Sequence, residues 1–451
     1  MKAVLISTYE LGRQPFGLAS PAAWLQREGV DVTCLDVSRK PFDATSITDA
    51  DLVAFYLPMH TATRLSLPLL KQVEGANPRA HICAYGLYAP LNADLLRLHG
   101  ARTIFGGEFE TPLTALARQI ALGAPVPENS DLISLPRQQF VTPYRDGLPA
   151  LAEYAQLTLP DGTKRIVGYT EASRGCKHLC RHCPIVPVYG GTFRIVQRDV
   201  VLADIRAQVT AGAQHITFGD PDFFNGVKHA TDLVRALHAE FPDLSYDVTI
   251  KVEHLLKHRE GLDLLATTGC AFVTSAVEAV DDDILTIFDK RHTRADFVEA
   301  VDACRAAGLN LVPTFVAFNP WISVTGYATL LETLVDLDLI ESIAPIQLCI
   351  RLLIPAGSRL LELPEVQQLV DPYDPTALVY PWAHPDPAVD RLQKAVEKIV
   401  HDALAAGASR RTIFDRVRRY TWEVLGQQPP SELDSAPDRT QVPYLNEPWY
   451  C

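Results

Sequence analysis

The chain alternates short apolar runs with stretches in which apolar residues recur every three or four positions. Near its start KAVLIS, DVTCLDV, DLVAFYLP, HICAYG and ARTIFGG read as strands. Between them SPAAWLQREG, RLSLPLLKQVEG and NADLLRLHG carry helical spacing, and TPLTALARQIALG follows the last strand. This alternation predicts an α/β fold opening with a Rossmann-like parallel sheet over residues 1–125. Ligands of such sheets lie beyond the carboxyl ends of the strands. Here those ends carry Ser7-Thr8, Pro58-Met59-His60-Thr61, Gly86 and Gly106-Gly107-Glu108. No G-x-G-x-x-G opens the first helix, so a nicotinamide reading is weak.

Residues 126–164 are rich in Pro and polar side chains and read as a linker over the surface. Alternation then resumes through RIVGYTEAS, AQHITFGD, LSYDVTIKVE, CAFVTSAVE, LNLVPTFVAF and IAPIQLCIRLLIP. Helical stretches such as RDVVLADIRAQVTAG and TRADFVEAVDACRAAG separate these strands. Six strands with right-handed crossovers predict a partial (β/α)6 TIM-like barrel over 165–365, its site at the C-terminal strand ends. Residues 366–451 read as mainly helical, through AVDRLQKAVEKIVHDALAAG and RTIFDRVRRYTWEVLG, with the Pro-rich tail PSELDSAPDRTQVPYLNEPWYC.

Composition narrows the functional classes. Hydrophobic residues make up 47% of the 451 positions, enough for a large core. The 54 acidic residues outnumber the 41 basic ones, for a net charge of -13, which argues against nucleic acid as a main partner. No apolar run of about 18 residues occurs, so no membrane span is expected. The start, MKAVLISTYELG, reads as a first strand rather than a signal peptide. The nine cysteines are odd in number and scattered through apolar segments, unlike a secreted disulfide framework. Cys34, Cys83, Cys304 and Cys349 read as inert core residues, and the compartment as the reducing cytoplasm.

One stretch stands apart. SRGCKHLCRHCPIVPVYGG holds Cys176, Cys180 and Cys183 at C-x3-C-x2-C spacing, directly after a predicted strand. Structural zinc takes four ligands, usually as two separated pairs. His178 or His182 could complete a set, yet no second pair follows at finger spacing. Three thiolates on a tight loop instead leave one corner of a [4Fe–4S] cubane open to a small molecule. Cluster, zinc knot and packed thiols remain the three readings, with the cluster foremost.

On these residues the segment from about 165 to 360 resembles the radical S-adenosylmethionine (SAM) superfamily. The resemblance implies that Cys176, Cys180 and Cys183 bind the cluster. It places Gly219, Asp220 and Asp222 of FGDPDFF where the family holds the SAM amino group, although the usual Gly-Gly-Glu is absent. Ser275 and Glu278 fall where the family contacts the ribose and methionyl moieties, and Leu353 and Ile354 where backbone flanks adenine. The first sheet resembles the cobalamin-binding class of that superfamily, with Met59, His60, Gly106 and Gly107 near the corrin. No D-x-H-x-x-G offers a lower axial histidine. The tail YLNEPWYC resembles that of a CUAEP/CCAEP group, matching at Glu447 and Pro448 but keeping only Cys451 as a thiol. Residues 444–451, with Trp449 and Tyr450, are expected to dock near the barrel opening, where Cys451 could offer a soft ligand.

The resemblance implies a radical SAM enzyme, foremost a cobalamin-dependent methyltransferase. Transfer of a 3-amino-3-carboxypropyl group to a soft acceptor such as arsenic, or a carrier without turnover, are the other readings. Expected partners are a small-molecule or peptide substrate and a low-potential donor such as flavodoxin or ferredoxin, with no nucleic acid and no membrane.

Overall fold

The computed structural model describes residues 1–126, 132–433 and 442–446. The first five strands form where the alternation predicts: β1 Lys2–Ser7, β2 Asp31–Asp36, β3 Leu52–Tyr56, β4 His81–Tyr85 and β5 Thr103–Gly107. A two-residue β6, Ile133–Ser134, completes a wholly parallel sheet in the order β2-β1-β3-β4-β5-β6. Its strands are apolar on both faces because both are covered. Val4 and Ile6 of β1 enter one core with Val53 and Phe55 of β3; Ala3 and Leu5 enter the other with Leu52 and Ala54.

The second sheet uses β7 Gln156–Thr158, β8 Lys164–Thr170, β11 His215–Phe218, β12 Ser245–Thr249, β13 Cys270–Glu278, β14 Leu311–Phe315 and β15 Tyr444–Leu445. Between β8 and β11, β9 Ser173–Gly175 and β10 Phe193–Ile195 form a small antiparallel ribbon. The order is β14-β13-β12-β11-β8-β7-β15, with β8 and β11 to β14 parallel, β7 antiparallel to β8 and β15 antiparallel to β7. This is a curled half-barrel. The sixth expected strand shrinks to one parallel bridge, Phe318 to Arg351, because Pro345–Leu348 winds into a 3₁₀ turn. The expected linker is shared instead: β6 joins the first sheet and β7 the second.

Helices cover the outer face of this sheet. Arg294–Ala306 starts at a capping box of Thr293 and Asp296. Pro387–Ala405 starts at Asp386 and buries Val389, Leu392, Val396 and Val400 in the same core as the barrel strands. Inside the barrel, alternation aims His215 and Thr217 of β11 and Ser245 and Asp247 of β12 at the lumen. They form a satisfied chain: His215 bridges the Ser245 hydroxyl at 2.8 Å and the Asp247 carboxylate at 2.9 Å. Among the described residues no helix is long and apolar enough to cross a membrane.

Candidate active site at the barrel mouth

β8 ends at Thr170, and the β9–β10 ribbon turns the chain so that Cys176 opens a loop over the C-terminal strand ends. That loop is clamped from both sides. The Arg181 amide donates to the Phe288 carbonyl at 3.0 Å, and its guanidinium to the Ile287 carbonyl at 2.7 Å. Arg359 donates to the Leu179 carbonyl at 3.0 Å. Cys176, Cys180 and Cys183 are all free thiols, the first two buried and the third half-buried. Burial pushes the Cys183 thiol up to about 12, with Cys180 and Cys176 adding to the shift. A thiolate here needs cationic or metallic company.

Two cations stand beside the loop. The Lys251 ammonium, two residues past the end of β12 at Thr249, lies 3.7 Å from the Cys180 sulfur. Lys290 is buried and 3.4 Å from Glu278. Burial works against its charge, but Glu278 and then Cys180 and Cys183 outweigh it and raise its pKa. Glu278 ends β13 with a positive φ of 72° and also meets the His182 Nε2 at 3.1 Å. Burial opposes the Glu278 charge, yet Lys290 and His182 hold its pKa at about 2. Lys251 and Lys290 are the site residues the sequence reading missed. Lys251 had one signal, its place just beyond β12, whereas Lys290 follows the helix Asp282–Ile287 and had none.

The other candidates are more constrained than their position in the sequence suggests. Gly219 is required by close packing, since a Cβ there would lie 1.8 Å from the Tyr169 hydroxyl. Asp220 accepts from the Ala172 amide at 2.8 Å and the Ser173 hydroxyl at 2.5 Å, so it ties the end of β11 to the cysteine ribbon. Burial pushes its carboxyl up to about 7. Asp222 caps the Phe224 amide with Oδ1, and its Oδ2 lies 2.7 Å from His254 Nδ1 and 3.4 Å from His178 Nε2. Both acids therefore organise the mouth from behind rather than standing free in it. Ser275 shares a face with Val273 and Val277, which pack on the helices, so alternation points its fully buried hydroxyl away from the lumen. The Ile354 carbonyl accepts the Tyr380 amide at 2.8 Å, whereas the Leu353 side chain is exposed.

In the first sheet, His60 Nε2 is 2.6 Å from the Ala377 carbonyl and Met59 packs on the core. Gly106 and Gly107 face β6: a Cβ on Gly107 would lie 2.3 Å from the Ser134 carbonyl oxygen. These glycines serve strand pairing. The element that does reach the site from this sheet is Glu108, directly after β5. Arg174, two residues before Cys176, lies 3.4 Å from Glu108, 2.7 Å from Glu110 and 2.6 Å from Glu171. Strand ends of the two sheets thereby meet at the cysteine loop.

Only the start of the expected docking segment, Tyr444 to Asn446, is described. Glu447, Pro448, Trp449, Tyr450 and Cys451 lie outside the described residues. Tyr444 and Leu445 do dock, but along β7, where Leu445 pairs with Leu157 and Leu157 with Arg165. Leu445 packs with Leu157, Val167 and Phe272, in the half of the barrel opposite the cysteine loop.

Known proteins give the same picture. Residues 170–320 match the Radical SAM superfamily. The chain is 25% identical over 321 residues to hopanoid C-3 methylase of Methylococcus capsulatus, covering 68% of this chain and 62% of that protein. It is 24% identical over 250 residues to bacteriochlorophyllide d C-8(2)-methyltransferase of Chlorobaculum tepidum, covering 52% of each. It thus spans less than two thirds of either relative. Its fold is similar to that of the cobalamin-dependent SAM radical enzyme OxsB, with TM-score 0.72 at 13% identity over 89% of this chain and 67% of that one. It is also similar to the radical SAM methyltransferase TsrM of Kitasatospora setae, with TM-score 0.60 at 18% identity over 75% and 71%. The chain carries a radical SAM domain across residues 170–320, the segment that holds Cys176, Cys180 and Cys183.

Proposed function

We propose that this protein is a cobalamin-dependent radical SAM methyltransferase acting on a small organic molecule or peptide. The observation that carries the reading is the set of three free cysteines at C-x3-C-x2-C spacing, held at the strand mouth beside Lys251 and Lys290. Three thiols on one loop fit a [4Fe–4S] cluster with an open iron, and the two ammonium groups offset its negative charge. When bound, the cluster supplies a low-potential electron to the SAM sulfonium, and a corrin carries the methyl group. Glu278, held at about 2 by Lys290 and His182 at the end of β13, is the acid we assign to the cationic end of SAM; Asp222, also held at about 2, is engaged by His254 and His178. Asp220 and Asp222 act as positioning residues.

The corrin assignment rests on the shared architecture with OxsB and on the Arg174 bridge, which brings the first sheet's strand end to the cysteine loop. His60 meets the Ala377 carbonyl, Met59 packs on the core and Gly107 sits tight against β6, so the corrin assignment does not rest on these residues. The substrate class follows from the named relatives, a hopanoid methylase and a bacteriochlorophyllide methyltransferase, and from TsrM with its tryptophan substrate. All three substrates are small organic molecules. A low-potential donor such as flavodoxin or ferredoxin completes the reaction.

Anaerobic reconstitution followed by product analysis tests this. Cobalamin-loaded protein with SAM and a reductant should release 5'-deoxyadenosine and S-adenosylhomocysteine, and Cys176→Ala, Cys180→Ala and Cys183→Ala together should abolish the first. Methylthioadenosine as the main SAM product would overturn the methyltransferase reading, and iron–sulfur absorbance persisting in the triple variant would overturn the cluster assignment.

A further inference from the structure

Behind the cysteine loop, three ligand-bearing atoms converge that the cluster does not need together. The Cys176 sulfur, a His178 ring nitrogen and an Asp222 carboxylate oxygen all lie within 4.8 Å of one another, on three buried residues. His178 Nε2 and Asp222 Oδ2 are 3.4 Å apart, close to the edge of a tetrahedron whose arms are zinc bonds of about 2.0–2.3 Å. Both atoms are buried; His178 Nε2 has no well-directed hydrogen bond, and Asp222 Oδ2 has only the close approach of His254 Nδ1 at 2.7 Å. Buried polar atoms in that state are uncommon and call for an occupant.

The surroundings are those of a metal ligand set. His178 Nδ1 lies 3.5 Å from Glu253 Oε2, so a proton kept on Nδ1 leaves the Nε2 lone pair facing Cys176 and Asp222. Asp222 is fixed by the Phe224 amide on one oxygen, while His254 Nδ1 lies 2.7 Å from the other. A thiolate, an imidazole and a carboxylate together suit a borderline ion such as zinc and disfavour magnesium or calcium.

We propose that the chain without its cluster binds one zinc ion through Cys176, His178 and Asp222, the fourth position being left to water. Binding releases the Cys176 thiol proton. Because both centres draw on the Cys176 thiolate at one buried place, zinc and the cluster compete for it, and zinc occupancy hinders cluster assembly. The proposal shares only Cys176 with the cluster reading; its other ligands, His178 and Asp222, are not cluster ligands.

Cluster-free full-length protein titrated with zinc chloride tests it, with cobalt(II) as a spectroscopic stand-in. One zinc per chain is expected. Asp222→Asn should lose stoichiometric zinc yet still load iron and sulfide, while Glu253→Gln should weaken zinc binding about tenfold to a hundredfold. Cys180→Ser with Cys183→Ser should keep the zinc and the single-thiolate cobalt charge-transfer band, and Cys176→Ser should lose that band. Cluster-loaded protein should refuse zinc. Zinc lost from the Cys180→Ser/Cys183→Ser variant, or bound normally by both Asp222→Asn and Glu253→Gln, would overturn the proposal. A failed cluster in wild type with zinc binding intact would sink the cluster reading alone.

Discussion

At the mouth, two carboxylates within 60 residues of each other respond oppositely to burial because their partners differ. Asp220 has only neutral donors, Ala172 N–H and the Ser173 hydroxyl, and burial pushes it up to about 7. Glu278 has Lys290 and His182, and they hold it at about 2 in spite of burial. A carboxyl whose folded pKa is raised destabilises the fold as pH climbs from its unfolded value through the folded one. The Glu278 contribution is instead present above the ordinary carboxylate range and is lost as pH falls toward about 2. Asp220→Asn should therefore gain stability relative to wild type as pH rises from 4 to 7, by at most roughly 4 kcal/mol. Chemical denaturation across that range measures it, and a relative stability that falls with pH would contradict the assignment. Little of this was legible in the sequence. FGDPDFF marks a strand end with two acids, but the partners that decide their charge arrive from elsewhere: Ala172 and Ser173 for Asp220, His178 and His254 for Asp222. Ser275 shows the sharper limit: in a strand, one step of parity moves a side chain from lumen to core.

Strands and helices were the most legible elements, because the periods of two and 3.6 are written along the chain. Five of the six strands of the first sheet and five parallel strands of the second fall where apolar runs predict them. The misreadings are short edge elements whose existence depends on a neighbour. Two residues of β6 and three of β7 carry no period, and the last expected strand yields to Pro345 and its 3₁₀ turn. The tail belongs to the same class. Tyr444–Leu445 becomes a strand only because β7 offers a free edge, and Leu445 adds an apolar side chain to the lumen. Leu445→Ala should then cost about 1–2 kcal/mol, less than a fully buried leucine. It should leave iron content and SAM cleavage unchanged, since the cysteine loop lies at the other end of the strands. Thermal melts and iron analysis decide; a variant of wild-type stability that uncouples SAM cleavage would return the tail to the opening.

Two large sheets dominate the described residues, and buried charge joins them. Arg174 leaves the second sheet's ribbon and meets Glu108 and Glu110, which follow the last long strand of the first. Arg145 does the same from the intervening segment, gripping Asp204 at 2.7 Å and the Gln14 side chain at 2.8 Å. Each guanidinium is nearly or fully out of water, so its charge is tolerable only while the carboxylates stay in place. Separating the sheets would strand several buried charges at once, a cost that couples their unfolding. Calorimetry of the full chain should accordingly show a single endotherm. Arg174→Leu leaves Glu108 and Glu110 facing each other without their cation, which should cost about 3–5 kcal/mol and split the transition in two. Changing Glu108 and Glu110 to Gln alongside Arg174→Leu should recover part of that loss by removing the stranded charges. Two endotherms in the wild-type chain, or an Arg174→Leu variant that still melts once at the wild-type temperature, would mean that apolar contact alone holds the sheets together. The position of the cysteine loop over the first sheet would then not depend on Arg174.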